Sequence, residues 1–97
     1  LTVSENVADL GGIAAALEAA KKEADFSAEE FFTNFARIWR MKARTEYMQL
    51  LASVDVHAPG KLRTNVQLPN FDEFHKEFDV KEGDGMWRAP EDRVIIW

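Results

Sequence analysis

From Ser4 to about Glu23 the apolar residues Leu10, Ile13, Leu17 and Ala20 recur at steps of three and four within a stretch rich in Ala and Glu. That spacing is the period of an α-helix with one buried stripe, and it predicts a helix here. Gly11 and Gly12 interrupt the stripe. Each costs about 1 kcal/mol relative to Ala, so the pair predicts a place where another backbone comes close. Further on, Ser27 and Glu30 have the spacing of a capping box, with Phe26 and Phe31 at the two positions of a hydrophobic staple. A second helix is therefore expected from Ala28 to about Lys42. Its expected buried stripe is Phe31, Phe35 and Ile38, flanked by Phe32 and Trp39. Thr45 is the expected cap of a third, shorter helix that runs through Tyr47, Leu50 and Leu51 to about Ser53.

The pattern changes at Asp55. Asp55-Val56-His57-Ala58-Pro59-Gly60-Lys61-Leu62-Arg63 contains a Pro-Gly turn and no helical period, which predicts a loop presenting its polar groups outward. Val66 to Leu68 is compatible with a short extended piece. Asn70 and Glu73 repeat the capping spacing, and Phe71, Phe74 and Phe78 supply a one-sided apolar face for a fourth helix. The remainder, with Gly83, Gly85 and Pro90, reads as irregular and ends in Val94-Ile95-Ile96-Trp97, an apolar end expected to be buried. No repeat, low-complexity tract or linker divides the chain. The expected architecture is mainly α, with a loop-rich C-terminal part.

Composition narrows the field. The 97 residues are 46% apolar, enough for one small domain with a single core. Acidic residues number 17 against 12 basic ones, and the net charge of -5 argues against the phosphate contacts on which nucleic-acid affinity depends. The longest stretch free of charged and strongly polar residues, Leu10 to Leu17, falls far short of the roughly 20 residues that cross a bilayer. No membrane segment is expected in this stretch. Zero cysteines leave only His, Asp and Glu as zinc ligands and suit a cytosolic origin. Leu1 stands where an initiator Met would, so the chain is expected to be cut from something longer.

Two groups of residues carry candidate chemistry. Glu5 and Asp9 are four apart, which on a helix places them about 40° around the axis from one another, on one face. Like charges at that spacing repel by a few tenths of a kcal/mol unless a cation lies between or beside them. By spacing alone the pair reads more readily as a solvated acidic first turn favoured by the helix dipole. His57, in its Pro-Gly loop, reads alone as an ordinary surface residue, although an Asp two positions before it can hydrogen-bond the ring. His75 is expected on a helix surface without a role, and the basic run Arg40, Lys42 and Arg44 is expected to be a solvated face. Phe31, Phe32, Phe35 and Trp39 at helical spacing are expected to be core rather than a cofactor box.

Context changes the weighting of the first two groups. Glu5-Asn6-Val7-Ala8-Asp9-Leu10-Gly11-Gly12 closely resembles the Glu-Asn-(Ile/Val)-Ala-Asp-x-Gly-Gly signature of the neprilysin family of zinc metallopeptidases. Asp55-Val56-His57-Ala58-Pro59, followed by Arg63, is similar to the family's Asp-Val-His-x-Pro-x-x-x-Arg segment. The Phe31-Phe32-x-x-Phe35-Ala36-x-x-Trp39 pattern and the final Trp97 also resemble the family, so the likeness spans essentially the whole chain. Ending on Trp97 as the family does suggests a natural C-terminus and an artificial N-terminus. Arg40 and Val94 stand where extracellular animal members carry cysteines, which points to a bacterial member of oligopeptidase type. A cytoplasmic location is favoured, with secretion or the cell surface as the alternative.

The resemblance implies a small helical lobe of a zincin-type catalytic domain, in which residues 1–97 are the C-terminal part. It implies that Glu5 is the third protein ligand of a catalytic Zn2+ and that Asp9 holds one of the ligating histidines from behind. It further implies that His57 donates to the oxyanion of the tetrahedral intermediate, that Asp55 orients its ring, and that Arg63 binds a substrate carbonyl. Loss of an oxyanion donor typically costs about 2.7–4 kcal/mol of transition-state stabilisation. The family's His-Glu-x-x-His helix is absent, so the chain alone is expected to hold no tight zinc and to be inactive. Expected partners are peptide substrates, the rest of the parent catalytic domain, and further copies of the chain meeting through an exposed apolar face. From another class of function, a free-standing helical interaction module fits the same composition. A His-Glu-x-x-His motif upstream would decide for the peptidase.

Overall fold

A computed structural model describes residues 2–95. These residues fold into five α-helices, α1 (Val3–Ala20), α2 (Ala28–Trp39), α3 (Thr45–Val54), α4 (Gly60–Asn65) and α5 (Asp72–Glu77), with short 3-10 turns at Leu68–Asn70 and Pro90–Asp92. Among the described residues there is no strand, so the mainly α expectation holds and the extended piece at Val66 to Leu68 does not form. Pro69 explains the outcome, because its fixed φ suits the tight turn that occupies this stretch.

The core is small. Ile13 and Leu17 of α1, Phe32 of α2, Leu68 of the first 3-10 turn and Phe74 of α5 are buried together, with Phe26, Phe31, Phe35, Phe71, Val80 and Met86 packed around them. Phe32 meets Phe74 and Phe31 edge-on at centroid distances of 5.5 and 5.3 Å. This moves the centre of the α2 stripe from the expected Phe31, Phe35 and Ile38 to Phe32, and leaves Ile38 71% exposed. The rotation follows from α5, whose Phe74 and Phe78 approach α2 on the Phe32 side.

Helix ends also differ from expectation. Ser27 caps α2 as expected, its Oγ accepting from the Glu30 N–H at 3.3 Å. The helix stops at Trp39 instead of Lys42, with Arg40 extended. Thr45 is the first residue of α3, whose cap is Arg44, rather than a capping residue itself. α5 is capped by Phe71, because the Asn70 side chain is drawn away: its Oδ1 accepts from Arg88 and, at 3.0 Å, from the Val94 N–H.

Three further expectations are corrected. His75 is buried, not on a surface, and its Nε2 lies 2.8 Å from the Pro69 carbonyl oxygen. Val94 and Ile95 are exposed rather than buried, and Ile96 and Trp97 lie outside the described residues. Around Gly12 the space is open, so no close approach explains that glycine within this chain.

Candidate active site

α1 presents Glu5 and Asp9 on one face, as their spacing predicts, and the second half of the chain brings a nitrogen-bearing side chain to each. Glu5 Oε2 lies 3.1 Å from His57 Nε2. Asp9 receives Arg63 in a two-point grip, with Nε and Nη2 each donating at 2.8 Å. The like-charge penalty of the bare helix is therefore offset by oppositely charged or chargeable neighbours from a distant part of the chain. Of these side chains Asp9 and Arg63 are the more enclosed, at 20% and 15% exposure, whereas Glu5 and His57 remain at 41% and 38%.

The segment carrying His57 and Arg63 is built in two parts. Asp55–Pro59 is an irregular loop, whereas Gly60–Asn65 is α4, so Lys61 to Arg63 are helical and not in the loop expected for them. Pro59 precedes the first helical residue, and Leu62 and Arg63 both donate their N–H to its carbonyl, starting the helix without a side-chain cap. At the loop's start Asp55 accepts the His57 backbone N–H at 2.9 Å, and the same Oδ1 lies 3.5 Å from the ring's Nδ1. The backbone bond from His57 is the main reason the Asp55 carboxyl is held below its usual value; burial opposes it, and the His57 ring and the Arg63 charge add to the lowering. Asp55 thus holds both the backbone and the ring of His57, with its strongest contact on the backbone.

Arg63 also lies over Trp39 at the end of α2, its guanidinium carbon 3.7 Å from the ring centroid. A Cβ on Gly60 would run into the Trp39 carbonyl oxygen, so α4 starts in direct backbone contact with the last residue of α2. Gln67 closes the same edge by donating to the Asn6 carbonyl at 3.0 Å. None of Trp39, Gly60 or Gln67 was assigned a site role from sequence. Trp39 falls on an aromatic helical stripe that reads as core, and Gly60 is half of a Pro-Gly turn, so their local patterns have ordinary explanations.

Asp55, His57 and Arg63 share a cavity of about 290 Å³ with Ile38, Trp39, Met41, Met48 and Leu51. One wall carries charge and hydrogen-bond donors; the other is apolar. Among the described residues no group of three or more His, Cys, Asp or Glu side chains is arranged to hold a metal ion. Glu5 fits zinc as a single hard oxygen donor with room around it, and any further ligands would come from outside this chain.

Comparison with known proteins gives this geometry a context. Residues 1–94 match the sequence profile of Peptidase family M13. The chain is 59% identical over 97 residues to a neutral endopeptidase of Lactococcus lactis subsp. lactis, covering 100% of this chain and 16% of that protein. It is 45% identical over 95 residues to a neutral endopeptidase of Lactobacillus helveticus, covering 98% of this chain and 14% of that protein. It is 32% identical over 109 aligned residues to human neprilysin, covering 99% of this chain and 14% of that protein. No solved structure gives a significant match. The chain spans about one sixth of the length of the Lactococcus lactis neutral endopeptidases it matches.

Proposed function

Because the chain belongs to peptidase family M13, we propose that it is the C-terminal part of a bacterial zinc-dependent endopeptidase or oligopeptidase that hydrolyses short peptides. The observation that carries this is the contact between Glu5 and His57. A metal held by Glu5 would polarise the same substrate oxygen to which the oxyanion donor gives its hydrogen bond, so the ligand and the donor have to lie close together. The 3.1 Å separation of their side chains supports that pairing.

In this proposal Glu5 is a zinc ligand, and zinc, when bound, polarises the scissile carbonyl and activates water. His57 donates to the oxygen on which negative charge develops, and Asp55 holds the His57 loop and ring in place. Asp9 orients a metal-binding histidine from the rest of the parent; each of its oxygens accepts from Arg63 and retains a further lone pair for that task. Arg63 binds a substrate carbonyl near the scissile bond. The apolar half of the adjoining cavity, with Ile38, Met41, Met48 and Leu51, suits cleavage before an apolar residue. The lack of cysteine in this stretch supports a cytoplasmic parent, with a secreted or surface location as the alternative.

The test uses the full-length parent. Glu5→Gln keeps the size of the side chain and removes its charge. It is expected to lower bound zinc, measured by atomic absorption, at least tenfold after dialysis, and to abolish hydrolysis of short peptides. Undiminished zinc content with intact turnover would reject Glu5 as a ligand. By the same logic this chain alone, even with added zinc, is expected to show no turnover that a chelator blocks.

A further inference from the structure

We propose that Trp39 is a positioning residue for Arg63, holding its guanidinium in the one orientation from which the nitrogens not used by Asp9 can meet a peptide carbonyl. The inference rests on the assignment of Arg63 to substrate binding above.

Asp9 holds the guanidinium by its edge, taking Nε and Nη2 at 2.8 Å each. The Trp39 ring meets the guanidinium carbon at 3.7 Å. Edge contact alone leaves the plane free to tilt about the carboxylate; an aromatic face removes that freedom. The two restraints differ in what they consume. A guanidinium has five N–H donors, and the grip by Asp9 uses two of them. Attraction to an aromatic face uses none, because it acts through the ring's quadrupole and the cation's charge. Trp39 therefore fixes the plane while leaving both Nη1 protons and one on Nη2 for substrate. A second carboxylate in its place would take up those donors.

The backbone supports the same arrangement. Arg63 sits on the last turn of the short helix α4, and the start of α4 at Gly60 abuts the Trp39 carbonyl. One residue thus sets both the helix that carries Arg63 and the tilt of its side chain. The neighbouring Phe35 ring, edge-on to Trp39 with a centroid distance of 6.4 Å, holds the indole in turn.

The experiment is a double-mutant cycle in the full-length parent with a short peptide substrate, comparing W39L, W39F, R63A and W39L/R63A. W39L keeps apolar volume and loses the aromatic face; it is expected to raise KM about tenfold while kcat changes little. W39F restores a face and should recover most of that loss. In the R63A background W39L should add nothing further, because its effect runs through Arg63. Effects of W39L and R63A that multiply would show that Trp39 acts as a cavity wall and overturn the inference. So would a W39L enzyme with the original KM. If R63A itself leaves KM and kcat untouched, the role given to Arg63 fails first and this inference goes with it. Should W39L unfold by circular dichroism, the W39F and W39F/R63A pair is read the same way, with a smaller KM change that must vanish without Arg63.

Discussion

At the residue scale, Gly60 is where local propensity and tertiary contact disagree. Alanine normally favours a helix over glycine by about 0.5–1 kcal/mol, so Gly60→Ala ought to stabilise α4. Its Cβ, however, would run into a backbone carbonyl of α2, which has little freedom to move. Overpacking of this kind costs about 1–3 kcal/mol, and the contact is expected to win. Gly60→Ala should therefore lower the urea midpoint of the chain. A raised midpoint would mean that α2 and α4 separate freely. The histidines divide in a similar way. His57 stands out in the sequence because a whole motif surrounds it, and in the structure it lies beside Glu5 and Asp55. His75 was misread because nothing local distinguishes a surface histidine from one whose ring reaches a carbonyl across a turn.

At the scale of elements, α1 is joined to the rest of the chain as much by polar contacts as by core. At its far end Lys21 bonds Glu73 of α5 and, at 3.1 Å, Glu18. Lys21 is raised above 10.5 by the hydrogen bond it donates to Glu73 and then by the one it donates to Glu18. For Glu73 burial is the largest single influence and favours the neutral form; the Lys21 hydrogen bond, a backbone N–H and the Lys21 charge together outweigh it, and the carboxyl falls below 4.5. A lowered carboxyl contributes stability above 4.5 that is lost as pH falls from there through its folded value, and a raised amine contributes below 10.5 and is lost above it. The brace between α1 and α5 thus works across that whole interval. Both groups are about one-third exposed, so Glu73→Gln should cost only about 0.2–1 kcal/mol near neutrality. Urea midpoints of the two proteins should converge as pH drops below 4.5; a constant gap would place the effect in packing instead. The helices themselves were mostly legible, because α1, α2 and α3 each carry a period or a cap signal. α4 was not, since Leu62 is the one large apolar residue in Gly60–Asn65, which shows no period, and the helix has no side-chain cap.

At the scale of the whole molecule, the chain is loose for its length. Its Cα radius of gyration is 14.3 Å, against about 12.5 Å for a compact chain of this size. Val3, Val7, Ile38, Met41, Leu50 and Ile95 are among the large apolar residues left exposed. Surfaces of this kind cover themselves when they can. This chain alone is therefore expected to self-associate, with a sedimentation coefficient that rises with concentration, and the full-length parent is expected not to do so through this face. A strict monomer at every concentration would count against a face made for another part of the parent. What the sequence determined by itself was the helical class and the placing of Glu5 and Asp9 on one helix face, because period, caps and spacing along a helix are local properties of the chain. What only the tertiary structure decided was which groups meet: Glu5 with His57, Asp9 with Arg63, and Trp39 beneath that arginine. Pairings between distant segments depend on how α1, α2 and α4 pack, and no local pattern of apolar and polar residues encodes that angle.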